Sequence, residues 1–246
     1  MESSQRDTLL ERALQYPYSA PINSFVFTQG TAIPIDSWLA NHHYDCWQQA
    51  LLSQQHLCGE EFIPVIAYGS NRSPAQLRKK YGRNINTPII SIAAILHHHD
   101  IVRSAHFTSY ATLAATILPA ANTKVEVFVQ YLSPNNLNQL HQTEALGHNY
   151  DYISFPADCI SIAAQPVTGA MIYQGLHGHL QRRHQAVAFA ELSAQNRSLP
   201  EANQADILRQ VHEHLEPQSS FEDWLIKISS NLEYRQQMTM AVKKIR

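Results

Sequence analysis

The sequence predicts an α+β fold, with a β-rich middle section between helical ends. Three observations carry this. Apolar runs of strand length, divided by turn signals, fill residues 61 to 175. Two helix starts of the form Ser-Pro interrupt them. A long stretch from 180 to 246 has helical patterning, with loops at Gln195–Pro200 and Glu216–Ser220. The spacing of the turn signals fits a barrel or a sandwich.

Taken in order, Asp7–Leu14 reads as a helix. Phe25-Val26-Phe27 starts a β-like segment from Ser24 to Ile35. Ile35–Leu57 reads as one helix with Asp36 as a possible cap and Trp38, Leu39, Trp47 and Leu51 as apolar positions. Phe62–Ala67 is strand-like. Ser73–Gly82 reads as a short helix: Ser73 caps, Pro74 opens and Gly82 stops it. Ile89–Leu96 is a buried-looking run, Tyr110–Leu118 a strand stopped by Pro119, and Val125–Leu132 a strand with alternating valines. Ser133–Gly147 is the second helix with a Ser cap, a Pro opening and a Gly close. Tyr150–Phe155 and Gly169–Tyr173 are further strands.

The 246 residues suffice for one good core, or for one domain plus a smaller helical unit. A formal net charge of −2 leaves no footprint for nucleic acid. No stretch approaches the roughly 20 apolar residues of a membrane helix. The polar start, Met1–Gln15, lacks the apolar core of a signal peptide. No nucleic-acid partner, no membrane partner and a cytoplasmic location are the expectation. Cys46, Cys58 and Cys159 are too few and too scattered for a disulfide framework or a zinc site, and read as buried or inert. The sequence carries no signal for oligomeric state.

Tyr68-Gly69-Ser70-Asn71 lies between the strand ending at Ala67 and the Ser73 helix. A strand-to-helix turn aims backbone N–H groups outward beside a helix N-terminus, where negative charge is favoured. It suits a carboxylate or a developing oxyanion.

In the second Ser-Pro helix, Leu137, Leu140 and Glu144 fall three and four apart, on one stripe. A carboxylate there faces the core near a helix C-terminus. Both circumstances work against its charge. Either Glu144 reaches water or pairs with a buried Arg, or it is a poised general base with a raised pKa.

Other features have bland readings. His97-His98-His99-Asp100 invites a metal, but consecutive strand residues face opposite ways, so at most two of the histidines share a side. His141, three residues before Glu144, is a solvated helix histidine or a partner that tunes it. Ser70 lacks the Gly-x-Ser-x-Gly setting of a nucleophile. Trp38, Trp47 and Trp224 read as packing residues, and Arg182-Arg183 as a solvated surface pair.

The Tyr68–Asn71 loop after an apolar strand, the Ala111–Ile117 run, the strand from Thr123 to Leu132, and Leu132-Ser133…Leu137…Leu140…Glu144 followed by Tyr150 together resemble the gamma-glutamylcyclotransferase family over residues 61–175. The resemblance implies a compact mixed β-barrel with flanking helices. It divides the chain into an N-terminal extension, partly helical (1–60), a barrel domain (61–175) and a helical C-terminal region packing on the barrel (176–246). It implies Glu144 as acid/base and Tyr68, Gly69, Ser70 and Asn71 as the loop binding a gamma-glutamyl unit. Tyr150 and Tyr173 fall where the family places pocket tyrosines. His141 stands where the family usually has Asp, Ala145 where it has Gly, and Arg72 where it has Leu or Met; these departures bear on the substrate.

The implied reaction is ring closure. The α-amine of a gamma-glutamyl group attacks its own γ-carbonyl, releasing 5-oxoproline and an amine or amino acid. A five-membered closure is intramolecular, so the demands are conformer selection and proton transfer. It needs no metal, cofactor or covalent nucleophile. The partner is a small-molecule gamma-glutamyl substrate, in the tradition of a lyase or acyltransferase. Two other classes compete: a non-catalytic protein holding a small carboxylate-bearing ligand, and an amide or thioester hydrolase in which Glu144 activates water.

Overall fold

The structure is a computed structural model that describes residues 3–245. Nine strands and eight helices make up most of it. The strands are β1 (Phe25–Thr28), β2 (Thr31–Pro34), β3 (Ile63–Ala67), β4 (Ile89–Phe107), β5 (Leu113–Leu132), β6 (Tyr150–Ser154), β7 (Ile160–Ile162), β8 (Gln165–Pro166) and β9 (Met171–Gly175). The helices are α1 (Ser3–Leu14), α2 (Ile35–His42), α3 (Trp47–Cys58), α4 (Pro74–Tyr81), α5 (Pro134–His141), α6 (Gln204–Leu215), α7 (Phe221–Ser230) and α8 (Leu232–Val242).

The α+β class expected from the sequence holds. One mixed sheet of twelve strands, counting two-residue strands at 188–189, 194–195 and 201–202, dominates it. Its main path runs from 201–202 through 188–189, β4, β5, β3 and β9 to β6. β4 and β5 form a long antiparallel hairpin from Ile90↔Tyr131 to Phe107↔Leu113. β3 pairs antiparallel with β5 and parallel with β9, which places the end of β3 beside Ile172.

Pro119 does not stop a strand. It lies within β5 and faces His99, next to a bulge at His98, whose φ is +57°. The missing N–H falls where the ladder is already interrupted, so Pro is tolerated there. The four-residue run of histidines and Asp is drawn apart by the same bulge. His97 Nε2 meets Ser161 Oγ at 2.7 Å, His99 Nδ1 meets the His97 carbonyl at 2.9 Å, and Asp100 turns inward. Among the described residues no group of three or more His, Cys, Asp or Glu is arranged to hold a metal.

The predicted helix 35–57 is two helices, α2 and α3. His43 takes a left-handed conformation and its N–H bonds the Ala40 carbonyl, which ends α2. Pro34, not Asp36, is at the N-cap. The stretch from 180 to 202, expected to be largely helical, is made of short strands: those at 188–189, 194–195 and 201–202 extend the sheet, and those at 181–182 and 185–186 pair with each other; helix begins at Gln204. Cys46 and Cys58 are exposed free thiols, so of the expected readings, buried or inert, burial does not apply to them. No helix among the described residues is long and apolar enough to cross a membrane.

The core lies on both faces of the hairpin. Ile66, Leu96, Ile101, Val127, Val129, Ile172 and Phe189 fill one side. Near the hairpin tip, Trp224 of α7 is fully buried and meets the Phe107 ring edge-on at 5.5 Å between centroids. The C-terminal helices are tied to β4 through a fully buried Arg103. Its guanidinium donates to Gln204 Oε1 at 2.9 Å and lies 3.8 Å from the centre of the Phe189 ring.

A second largely buried cation, Arg197, pairs with the same strand. Arg197 donates from Nε and Nη2 to the two oxygens of Asp100, each at 2.9 Å, and Asp100 is fully buried. Such a pair adds little over an apolar replacement, but losing one partner strands the other charge in the core. Arg197→Met should therefore lower stability by about 3–5 kcal/mol, read as a shift of the urea midpoint. A loss below about 1 kcal/mol, the range of an exposed pair, would show that the Asp100 charge does not depend on Arg197.

Candidate active site

The end of β3 delivers the turn. Gly69 leads into a single 3-10 turn, Ser70–Arg72, and then α4 opens at Pro74. Ser73 sits at the N-cap, but its hydroxyl accepts no cap bond and is buried without a partner; the Ser73 carbonyl instead takes the N–H groups of Gln76 and Leu77. The N–H groups of Ser70 and Asn71 open the 3-10 turn and have no acceptor within it.

Glycine at 69 has a steric reason. A Cβ there would lie 3.0 Å from Tyr16 Oη and 3.2 Å from Ala115 Cβ. Tyr16, in the turn just past the end of α1, accepts the Ala115 N–H on its hydroxyl at 2.9 Å. The N-terminal extension thus reaches the turn and closes one wall.

Glu144 is not on a helix. α5 stops at His141, where the bonding tightens to i→i+3: Thr143 N–H to the Leu140 carbonyl at 2.9 Å and Glu144 N–H to the His141 carbonyl at 3.2 Å. The Thr143 hydroxyl also donates to the Leu140 carbonyl at 2.8 Å, competing for the acceptor that would have continued the helix. The inward direction read from the leucine stripe is nevertheless right, since Glu144 is 9% exposed.

Two donors meet its carboxylate on the same oxygen. Asn71 Nδ2 donates to Oε1 at 3.0 Å, and the Lys80 ammonium of α4 forms an ion pair with Oε1. The cost of burying this charge is thereby offset by a cation and an amide. Because both bonds end on Oε1, Oε2 is the oxygen left for a third partner. Donation from Nδ2 fixes the Asn71 amide orientation and leaves its Oδ1 a buried acceptor without a partner. Lys80 has no motif around it in the sequence. Its position four residues after Gln76, a buried position on α4, is the one signal that turns it inward.

The predicted residues converge. Tyr68, Gly69, Ser70, Asn71, Glu144, Tyr150 and Tyr173 all line one cavity of about 40 Å³, together with Tyr16 and Ala115. That holds a few waters or one small group. Tyr16, Ser70, Glu144 and Tyr150 also line a neighbouring cleft of about 990 Å³, so the small cavity is the inner end of a larger space.

Four tyrosines, Tyr16, Tyr68, Tyr150 and Tyr173, stand in the inner wall. Tyr68 donates to the Tyr173 carbonyl and Tyr150 to the Ala115 carbonyl, the latter at 3.0 Å. Burial pushes all three phenols above the usual tyrosine range, with the Glu144 charge adding to the effect in each. They are therefore neutral O–H groups at physiological pH. The His141 ring forms no hydrogen bond to the Glu144 carboxylate. Its Nδ1 meets the Tyr173 hydroxyl at 2.9 Å, and burial lowers its pKa against the opposing pull of Glu144.

Sequence reading missed His106, on the cleft wall. Its Nδ1 meets Ser104 Oγ at 2.7 Å, its Nε2 is buried without a partner, and its ring lies 4.4 Å from that of His177.

No family model matches the sequence, and no curated protein matches it. Among solved structures, a gamma-glutamyl cyclotransferase is similar at 15% identity over 76% of this chain and 89% of that one, with a TM-score of 0.39. A human protein described as uncharacterized is similar at 15% identity over 76% and 89%, with a TM-score of 0.38. An Arabidopsis thaliana protein is similar at 17% identity over 47% of this chain and 63% of that one, under two thirds of its length, with a TM-score of 0.34. Similarity at this level assigns no chemistry to the chain.

Burial, and then the charges of His177 and Lys243, push His106 from 6.5 down to about 3. Its folded form is the neutral one. The unfolded chain takes up this proton below about pH 6.5, so the stabilisation is full above that value and is lost as pH falls toward about 3. By about pH 5 the loss from this residue alone should be about 2 kcal/mol. Urea midpoints compared near pH 7 and pH 5 should fall less for His106→Gln than for the natural chain. An identical fall in both would remove His106 from the acid response.

Proposed function

We propose that the chain is a gamma-glutamylcyclotransferase-type enzyme that releases 5-oxoproline from a gamma-glutamyl compound. One observation carries the reading: Asn71 of the Tyr-Gly-Ser-Asn turn bonds directly to the Glu144 carboxylate at 3.0 Å, so the two halves of the motif share one cavity. The compact barrel implied by the resemblance belongs to the same reading.

The geometry supports a division of labour. The substrate's γ-carbonyl oxygen faces the free N–H groups at the 3-10 turn, where one such donor is typically worth about 3 kcal/mol to a developing oxyanion. The α-ammonium faces Oε2 of Glu144 and Oδ1 of Asn71. Glu144 takes a proton from it, the freed nitrogen attacks the γ-carbon, and the bond from that carbon to the leaving nitrogen breaks. Glu144 passes that proton to the departing amine, and the second proton, shed as the ring nitrogen becomes an amide N–H, follows through Glu144, so the amine leaves as an ammonium. Lys80 and the Asn71 amide hold Oε1, which fixes the direction in which Oε2 points. The neutral tyrosines exclude water from the ring-closing end, which favours cyclisation over hydrolysis.

A second reading, a non-catalytic protein that binds a small carboxylate-bearing ligand, is favoured by the Lys80–Glu144 ion pair: a carboxylate that already has a cation has a structural reason to be buried. One experiment separates the readings. Glu144→Gln keeps the size and the Asn71 contact, so it should fold while 5-oxoproline release falls roughly a hundredfold to ten-thousandfold. Gamma-glutamyl dipeptides, gamma-glutamyl amines and glutathione serve as substrates. Free glutamate in place of 5-oxoproline would establish the hydrolase, and undiminished turnover by the variant would end the role of Glu144.

A further inference from the structure

Arg72, the last residue of the 3-10 turn, has a cation's cost without a partner. It is half-buried, and its guanidinium takes part in no ion pair and no hydrogen bond among the described residues. Its Nε is buried without an acceptor. By contrast, Arg103 donates to Gln204 and Ala202, and Arg197 to Asp100 and Glu201. A guanidinium carries five N–H donors, and leaving them unused away from bulk water is costly.

Arg72 lines a pocket of about 620 Å³ that shares no lining residue with the ring-closing cavity or its cleft. Its floor comes from β4 and β5, and one wall from the segment that follows α1. Arg72 is the single cation among the lining residues, and Glu126 and Glu191 are the carboxylates. Glu191 is committed: it accepts the Gln204 N–H at 2.5 Å and lies 3.6 Å from Arg103. The Glu126 carboxylate has no ion pair and no side-chain hydrogen bond among the described residues.

The placement of these two charges is set by the strand. The Arg72 guanidinium carbon stands 5.8 Å from the centre of the Phe128 ring. Glu126 is two residues before Phe128 in β5, on the same face and ~7 Å away along the strand. The cation and the carboxylate therefore share one face without meeting. The charged groups of an α-amino acid are ~3 Å apart, and a charge-assisted hydrogen bond at each end adds ~2.8 Å, a span of the same order. A bare anion would be repelled by Glu126, and a bare cation would leave Arg72 unpaired. Beside the charges the lining is aliphatic, with Pro21, Ile22 and Ile95, and Ile22 is 90% exposed, a large apolar side chain left in water.

We infer that this pocket binds a free α-amino acid with an aliphatic side chain: the carboxylate on Arg72, the ammonium on Glu126, and the side chain against Pro21, Ile22 and Ile95. The site is separate from the cyclotransferase reading and stands without it. Arg72 also departs from the residue found there in the family that the turn resembles, so the pocket's cation is a feature of this chain.

Calorimetric titration of the full chain with leucine, leucinamide and 4-methylpentanoate tests this, at about pH 6.5 where the α-amines are protonated. The first carries both charges, the second only the ammonium, the third only the carboxylate. Leucine should bind at least about tenfold more tightly than either, the scale of one charge-assisted hydrogen bond. Arg72→Gln should remove its margin over leucinamide, and Glu126→Gln its margin over 4-methylpentanoate. Glu144→Gln should leave leucine binding unchanged, because Glu144 is not in this pocket. Absence of saturable leucine binding overturns the site, and so does its loss in Glu144→Gln, which would move the ligand to the ring-closing cavity. Equal affinity for 4-methylpentanoate, or a margin that survives in either folded variant, overturns the pairing of charges. Should Arg72→Gln misfold, Glu126→Gln decides, since that side chain is exposed. No arm of the test reads 5-oxoproline, so its failure and that of the cyclotransferase reading are distinguishable.

Discussion

The antiparallel ladder between β4 and β5 is the constraint on which the rest of the structure depends. Both strands are far longer than average, and each edge of the hairpin is used again. β1, β7 and the 188–189 strand add to β4, while β3 and the 194–195 strand add to β5. The ladder fixes Ala115 in β5, and Ala115 in turn holds two site tyrosines through its backbone: its N–H meets Tyr16 and its carbonyl meets Tyr150. β3, paired to the same strand, ends at the turn. The spacing between the turn and the tyrosine wall is therefore set by sheet hydrogen bonds, which are stiff, and not by loop packing.

Glu144 answers a different demand. It arrives from a segment that is no longer helical, and a carboxylate in such a place needs partners from elements with fixed positions. Asn71 and Lys80 supply them, and both belong to the turn-and-helix unit that follows β3. The consequence is reciprocal. The turn positions the carboxylate, and the carboxylate pins α4 to the end of α5, where Gln139 Nε2 also donates to the Lys80 carbonyl at 2.8 Å. Removing the charge loosens that junction as well as the chemistry.

Much of this was legible in the sequence, for identifiable reasons. β3, β6 and β9 are short apolar segments bounded by turn residues, and α4 and α5 carry Ser-Pro starts, so local chemistry specified them. The site tyrosines and the turn came as one contiguous motif or as family positions. What was not legible depended on pairing at a distance. The strand through Pro119 requires knowing that its rung falls beside a bulge in β4. The split of 35–57 turns on a non-glycine residue, His43, taking a left-handed conformation. The strands at 188–189 and 201–202 are two residues long and exist because β4 offers an edge. Lys80 has a common residue type at a common helix position, and it becomes part of the site through an ion pair spanning 64 residues.

The end of Glu144's helix shows how a wrong local reading can still give the right site. The stripe of Leu137, Leu140 and Glu144 assumed helical spacing, and the helix ends before the third member. Yet a tightening to i→i+3 bonds rotates the chain by only a fraction of a turn over so few residues, so the inward direction survives. Burial tolerates that small error because Leu137 and Leu140 remain in the core and hold the segment's approach. The elements outside the β-rich middle then complete what the motif began: α1 and the turn after it supply a tyrosine that abuts Gly69 and an arginine that stacks on Tyr110, and neither has any mark in the sequence that distinguishes it from a packing residue. A site assembled in this way places its reactive group by motif and its surroundings by topology, which is why the carboxylate was readable from the chain and the cleft that leads to it was not.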